Sequence, residues 1–276
     1  MDTSKIKNII ILILLTVNVF LGAALLSDRV QARSARASAW ETAVEAVERV
    51  GISVSEEISG GIDTPAVYGL RRDMESEYEH LEVVLGKLST NDLGGNIWFY
   101  SSADGQASVR GTGECDILFS TEVFAAGHDA EKTAVKLMKS LGMETDEGRA
   151  RTYSAAGGRV VELGCTWQGC RVYNAQMSFT FSEDYLLMIS GTRLFDLSVQ
   201  ESSEGVLDEL SVLMRFVEVV GEQGFVCSSL SELEVGYIFS VTVSGEGTLI
   251  PVWRFGTDTG DVYINALNGR VETVRQ

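Results

Sequence analysis

Apolar residues recur every three or four positions in four parts of the chain, as they do along one face of an α-helix. This spacing predicts four helices, over residues 39–50, 73–88, 129–142 and 204–221. Gly51 and Gly142 are expected to end the first and the third of them, because glycine commonly terminates a helix.

Between the helices the pattern changes to short apolar or alternating runs bounded by turn residues, which is typical of β-strands. A short strand-like run, ISVSEEI, follows the first helix. Strands are also predicted within NIWFYSS and ASVRGTGECDILFS, with turns at residues 105–106 and at Gly111 and Gly113.

The third and fourth helices are each followed by three predicted strands. The first set reads VVELG, RVYNAQMSFTF and YLLMISGTRL, and the second reads VGYIFSVTV, LIPVWRFGT and DVYINALNGRVETV. A helix folded over an antiparallel sheet buries both apolar faces, so we predict an α+β fold with tandem helix-plus-antiparallel-sheet modules. Pro251 is expected at a strand start or edge because proline lacks an N–H group.

The most apolar part of the chain is the segment 9–26, which carries no charged residue. Its 18 residues would span roughly 27 Å as a helix, close to the thickness of a hydrocarbon core. We therefore predict a single uncleaved transmembrane helix. A cleaved signal peptide is the alternative, but its apolar core is usually shorter, and here the first Ala-x-Ala follows only after three arginines.

The charges flanking this segment do not decide its orientation. Lys5 and Lys7 precede it, while Arg29, Arg33 and Arg36 follow it. The short leader and long remainder favour a single-pass protein of the cell membrane, with a cytoplasmic N-terminus and an extracytoplasmic bulk. The predicted organisation is a leader at 1–8, a transmembrane helix at 9–26, a linker at 27–39, an α+β region at 40–126, a first module at 127–200 and a second at 201–276.

The composition excludes several classes of function. With 39 acidic against 22 basic side chains the net charge is -17, which disfavours binding to nucleic acid. The two histidines, His80 and His128, are too few for a multi-histidine metal site. We expect His80 on a solvated helix face and His128 in a cap or loop.

The motifs of common active sites are missing from the sequence. It contains no G-x-S-x-G, no G-x-x-x-x-G-K-[ST] and no H-E-x-x-H. Acidic pairs such as Glu56-Glu57 and Glu183-Asp184 fall at predicted turns and strand ends. We therefore expect no catalytic residues, no cofactor, no metal and no enzymatic activity.

Cys165 and Cys170 are candidates for a disulfide. They flank TWQG between two strand-like runs, and a four-residue hairpin loop would place them opposite each other. Two free thiols, or a metal or redox role, are the alternatives left open for these two of the four cysteines.

Trp253 and Tyr263 are candidates for a binding surface. They lie in adjoining predicted strands, where alternation can place both on the face covered by the helix. That placement favours a role in the core. A peptide-docking groove is the alternative, because exposed strand edges accept peptides.

Within the apolar segment, Asn18, Gly22 and Leu25 lie on one helical face. In lipid an amide seeks a hydrogen-bonding partner and a glycine permits close approach of a second helix. These three residues are therefore candidates for contact with a partner helix. A polar residue tolerated in a bare anchor is the alternative.

Several segments together resemble one family of bacterial regulators. The opening MDTSKIKNIIILILLTVNVFL, followed by ETAVEAVERVGISVSEEI, GNIWFYSSADGQASV and ELEVGYIFSV, is similar to the YycI-type regulators of the YycH/YycI superfamily. The closing LIPVWRFGTDTGDVYINALNGRVE also resembles PepSY-type modules.

The resemblance implies a non-enzymatic protein anchored in the membrane of a Gram-positive bacterium. Such proteins, together with a YycH-like regulator, modulate a WalK/YycG-type sensor histidine kinase that controls cell-wall metabolism, partly through their transmembrane helices. Carried onto this chain, the contact would involve residues 9–26, and the chain would form hetero- or homodimers. The alternative function is a tethered PepSY-like module that binds or inhibits a protease or an envelope peptide.

Overall fold

The computed structural model describes residues 34–120, 122–125, 129–155, 158–182, 185–201 and 205–274. These residues form an α+β fold that is mostly β-sheet. The α-helices are α1 over residues 34–49, α2 Met74–Leu85, α3 Ala130–Ser140 and α4 Glu209–Gln223, with a 3₁₀ turn at Glu147–Arg149. All four helices predicted from the apolar spacing are therefore confirmed.

Aspartates fix the starts of α2, α3 and α4. The side chain of Asp73 accepts hydrogen bonds from the backbone N–H groups of Glu75 and Ser76, which have no partner inside the helix. Asp129 and Asp208 cap α3 and α4 in the same way. The fourth helix therefore begins at Glu209, later than the predicted residue 204.

The described residues contain sixteen β-strands. They are β1 Ser53–Val54, β2 Tyr68–Arg71, β3 Ser89–Asp92, β4 Ile97–Ser101, β5 Gly105–Arg110, β6 Glu114–Phe119, β7 Glu144–Thr145, β8 Arg151–Ala155, β9 Gly158–Trp167, β10 Cys170–Phe181, β11 Leu186–Thr192, β12 Leu197–Gln200, β13 Ser229–Val241, β14 Gly247–Thr257, β15 Gly260–Asn265 and β16 Val271–Glu272. The main path through the sheet is β12-β2-β14-β13-β10-β11-β6-β5-β4-β3.

Strand β10 joins the two halves of the sheet. It pairs antiparallel with β9 and β11, and it meets β13 in parallel at Val172 and Tyr237. Beyond this point the side chain of Asn174 replaces the backbone ladder. Its Nδ2 donates to the carbonyl of Phe239 at 2.8 Å, and its Oδ1 accepts from the N–H of Phe239 at 2.8 Å.

Helices cover the sheet in two places, and each place has its own core. Helices α1 and α4 share one buried cluster with β13, β14 and β15, which includes Ala43, Val47, Val212, Phe216, Trp253 and Phe255. Helices α2 and α3 share the other cluster mainly with strands β5, β6 and β9 to β11. It includes Leu81, Leu85, Ala134, Met138, Ile117 and Phe179. In sequence, α3 precedes antiparallel β9–β11 and α4 precedes antiparallel β13–β15.

Pro251 does not lie at a strand start or edge, as the sequence suggested, but inside β14 opposite Tyr237. On its other side β14 pairs with β2 up to Leu249 and with β15 from Val252 onwards. Pro251 occupies the gap between these partners, and its carbonyl accepts from the N–H of Ala266 at 2.9 Å. The missing N–H of proline therefore removes no ladder hydrogen bond.

The predicted transmembrane helix at 9–26 lies outside the described residues. Among the helices that the structure does describe, none has the length and apolar character needed to cross a membrane.

Candidate functional site

Helix α1 is fixed to the second half of the protein by its apolar side. Ala43 and Val47 are 6% and 0% exposed, and Ile52, just after the helix, is 1% exposed. All three belong to the buried cluster built around α4 and strands β13 to β15. The second half of the helix is therefore part of the folded core, while residues 34–39 are exposed.

A buried carboxylate lies where α1, α4 and the connecting loop meet. Glu209, in the first turn of α4, is 1% exposed, and its Oε2 accepts from the N–H groups of Gly61 at 2.6 Å and Ile62 at 2.7 Å. The guanidinium Nε of Arg36 in α1 lies 3.9 Å from Oε1. We call these four residues the Glu209 junction.

The local chain explains this geometry. Gly61 has a φ of +112°, which a residue with a side chain rarely adopts, and this conformation allows both N–H groups to face the same oxygen. The start of a helix also favours a negative charge, because its N–H groups carry partial positive charge. The Glu209 junction thus stabilises a charge that would otherwise be costly to bury.

A second buried charge lies under α2. The carboxylate of Glu77 accepts two hydrogen bonds from Arg72, at 2.8 and 2.7 Å, and one from the hydroxyl of Tyr100 at 2.6 Å. Nη1 of Arg193 lies 3.9 Å from the same carboxylate. Burial, followed by the hydrogen bond and negative charge of Glu77, raises the pKa of Tyr100, which therefore remains a hydrogen-bond donor at neutral pH.

Arg193 connects this buried charge to a groove at the surface. Its Nη2 binds both carboxylate oxygens of Asp196, at 2.8 and 3.0 Å, and approaches Nδ1 of His80 at 3.2 Å. The groove has a volume of about 460 Å³, and its lining includes Ser76, His80, Trp167, Gln168, Phe195 and Asp196. His80 therefore lines a groove beside Arg193 instead of lying on the solvated helix face predicted from sequence.

Among the described residues, neither buried carboxylate belongs to a metal-binding group of side chains. Within the described ranges, no group of three His, Cys, Asp or Glu side chains is placed to hold a metal ion. Arginine and tyrosine donors hold the carboxylate of Glu77, and backbone donors hold Oε2 of Glu209, whereas Oε1 of Glu209 accepts no hydrogen bond among the described residues. The predicted cap or loop position of His128 lies outside the described residues.

Trp253 is a core residue. It is 0% exposed, and its Nε1 donates to the carbonyl of Leu207 at 3.0 Å. Tyr263 lies on the opposite face of the sheet, because Trp253 is opposite Ile264 while Tyr263 is opposite Arg254. The prediction that both aromatic residues share the helix-covered face is therefore wrong, and Trp253 offers no docking surface.

Cys165 and Cys170 are free thiols, and the candidate disulfide is absent. The hairpin turn contains only Gln168 and Gly169, both with positive φ, so Cys170 lies opposite Trp167 and not opposite Cys165. Cys165 is buried, and its pairing partner across the other edge of β9 is Thr145 of β7. The sequence predicted a loop of four residues, whereas the turn has two.

The remaining sequence candidates, Asn18, Gly22 and Leu25, lie outside the described residues. Two residues that the sequence reading missed are Glu77 and Glu209. Glu77 does carry a signal, since it stands four residues before Leu81 on the inward stripe of α2. Glu209 carries no such signal in the sequence, because an acidic pair such as Asp208-Glu209 is typical of any helix start.

Comparison with known proteins gives no family. The chain matches no family model and no curated protein. Among solved structures it is similar to the crystal structure of an uncharacterized protein from Eubacterium rectale ATCC 33656, with 10% sequence identity and a TM-score of 0.42. This match covers 81% of the present chain and 90% of the other.

Proposed function

We propose that the chain is a non-catalytic, membrane-anchored extracytoplasmic regulator of a WalK/YycG-type sensor histidine kinase. In this proposal residues 9–26 form the single transmembrane helix, with a cytoplasmic N-terminus. The rest forms tandem helix-plus-sheet modules, of which the second is PepSY-like, and a YycH-like protein or a second copy is a further partner. The regulated process is cell-wall metabolism.

The observation that carries the proposal is the Glu209 junction. Only residues 27–33 separate the apolar segment from the described start of α1. The junction and the buried residue Val47 fix α1 to α4 and the sheet. In this proposal a displacement of the apolar segment is transmitted through α1 to a packed module, as a regulator that couples membrane and ectodomain requires.

The mechanism is a bias on a two-state kinase. A partner helix that packs better against one signalling state shifts the equilibrium by its difference in affinity for the two states. Asn18, Gly22 and Leu25 supply the contact face in this proposal. The ectodomain modules pair with the second regulator or bind a ligand.

Photo-crosslinking in native membranes tests this function. Photoreactive residues at positions 18 and 22 should capture a sensor kinase or a second single-pass regulator. A probe at position 20 is the matched control, because a two-residue step places it on the opposite side of a helix. Equal capture from all three positions, or no capture of either partner, would contradict the proposal.

A second candidate function is a tethered module that binds or inhibits a protease or an envelope peptide. The observation that favours it is strand β12, which forms one end of the main path through the sheet. Its Leu197 and Val199 are 52% and 63% exposed, as expected of an edge strand that accepts a peptide. Leu197→Lys and Val199→Lys should abolish capture of such a partner, and retained capture would exclude this edge.

A further inference from the structure

A small pocket on strands β8, β9 and β10 collects arginine side chains. It has a volume of about 60 Å³ and is lined by Arg149, Arg151, Glu162, Arg171 and Tyr173, among others. Arg149 is already paired with two carboxylates beyond the lining, Glu234 at 2.8 Å and Asp146 at 3.5 Å. Three arginines in one small pocket are nevertheless unusual in a chain with 22 basic and 39 acidic side chains.

The carboxylates around the pocket already have partners. Glu162 accepts a hydrogen bond from the hydroxyl of Tyr153 at 2.8 Å. Glu234, just beyond the lining, binds Arg149 at 2.8 Å and also Arg254. An added anion would therefore depend on a lining arginine that has no such ion pair.

Arg171 is the lining residue on which the pocket's capacity to bind an anion rests. It is only partly exposed, and among the described residues it forms no ion pair. Its guanidinium carbon lies 5.3 Å from the centre of the Tyr173 ring, which orients the side chain by a cation–π contact. A guanidinium held in this way is ready to bind a planar or tetrahedral anion through two N–H groups.

Tyr173, which also lines the pocket, has an unused donor. Its hydroxyl is buried and has no hydrogen-bond partner in the described part of the chain. Burial, followed by the negative charge of Glu234, raises the pKa of this hydroxyl, so it keeps its proton at neutral pH. Buried polar groups are normally hydrogen-bonded, so an unpaired one in a pocket wall suggests an absent acceptor.

We propose that this pocket binds one oxyanionic group, a carboxylate or a phosphate, carried by a small ligand. Arg171 is the principal binding residue, and Tyr173 supports it. The volume admits a single anionic group, and the remainder of a larger ligand would lie outside the pocket. The site does not depend on the proposed contact with a kinase.

Thermal unfolding of the full-length chain in detergent micelles tests the proposal. Sodium phosphate and sodium acetate are compared with sodium chloride at equal ionic strength. Phosphate, acetate or both should raise the melting temperature above its value in chloride, and the more effective anion identifies the chemical class. No shift beyond that of chloride with either anion would overturn the proposal.

Variants locate the effect in the pocket. Calorimetric titration of the better anion should show binding at least about tenfold weaker in Arg171→Gln, since a hydrogen bond to a charged group is lost. Tyr173→Phe keeps the ring and should weaken binding less. Arg49→Gln removes the same charge from an exposed arginine paired with Glu45, so its binding should equal that of the wild type.

The variants also give a result that would contradict the site. If Arg171→Gln and Arg49→Gln bind the anion equally, the binding is a general effect of charge and the pocket is not its site. If Arg171→Gln does not fold, Tyr173→Phe decides the matter, and binding as tight as in the wild type overturns the proposal.

Discussion

Nε of Arg36 lies 3.9 Å from the carboxylate of Glu209, which is itself 1% exposed. These two residues are far apart in sequence, yet they join the described start of α1 to the first turn of α4. The other carboxylate oxygen holds the loop at Gly61 and Ile62. The junction thus connects three separate segments through one side chain.

Replacement of Glu209 by alanine should destabilise the protein by about 2–4 kcal/mol. The reason is that two part-buried hydrogen bonds, from the backbone N–H groups of Gly61 and Ile62 to a charged carboxylate, are lost, and each such bond contributes about 1.5–3 kcal/mol. Chemical denaturation of the purified protein measures this change. Glu222→Ala, in the exposed last part of the same helix, is the control and should have little effect. Equal stability of the two variants would contradict the structural role of Glu209.

Tyr100 and Tyr153 form a matched pair for testing the buried charge under α2. Each hydroxyl donates to a glutamate, at 2.6 Å to Glu77 and at 2.8 Å to Glu162, but Tyr100 is 1% exposed and Tyr153 is 46% exposed. Tyr100→Phe should lower the free energy of unfolding by about 1.5–3 kcal/mol, because it removes a buried hydrogen bond to a charged group. Tyr153→Phe should give no measurable change. Similar losses in both variants would argue against a special role for burial.

The four cysteines should react in two groups. Burial raises the pKa of both Cys115 and Cys165 to about 12, so at pH 8 only about one thiol in 10,000 is ionised. Cys170 and Cys227 are partly exposed and should be alkylated first by iodoacetamide. Peptide mass spectrometry before and after denaturation gives the order of labelling. A linked Cys165–Cys170 peptide in a non-reduced digest would contradict the free thiols.

Stability below neutral pH should depend on Glu234. Burial alone would raise its pKa, but the hydrogen bond from Arg149 and the charges of Arg254 and Arg149 outweigh burial and lower it. A carboxylate with a lowered pKa contributes stability above its usual pKa of 4.5, and this contribution is lost as the pH falls further. Urea unfolding should therefore show a steeper loss below pH 4.5 in the wild type than in Glu234→Gln.

The control for this experiment is Glu48→Gln, which removes one negative charge from the exposed side of α1. Its stability should fall with pH as steeply as that of the wild type. If the curve of Glu234→Gln is instead parallel to that of the wild type, the ion pairs with Arg149 and Arg254 do not contribute to stability in acid.

Periodicity predicted the four helices correctly because helix formation is a local property of the sequence. The inward stripe of α2, with Leu81, Val84 and Leu85, repeats at the helical spacing, and Asp73 marks its start. Strands β8 and β12 were missed for the opposite reason. Both strands are short and every residue in them is exposed, so neither carries the apolar run that marks a buried strand in the sequence.

The candidate sites were harder to predict because they depend on distant parts of the chain. Glu77 meets Arg193, and Glu209 meets Arg36, across long sequence separations that no local pattern reveals. The predicted pairing of Cys165 with Cys170 was wrong because the turn between their strands is shorter than predicted, which places Cys170 opposite Trp167. A two-residue turn at Gln168 and Gly169 is one of the commonest hairpin connections, but Gln is not its usual first residue.

Exchange of the apolar segment 9–26 for an unrelated transmembrane sequence tests the central claim most directly. The variant keeps the ectodomain and the Glu209 junction, and its abundance and membrane localisation serve as controls. Output of the sensor kinase is measured as phosphorylation of its response regulator in cells. The proposal predicts that regulation is lost while the protein remains in the membrane. Unchanged regulation with the foreign segment would contradict control through this helix.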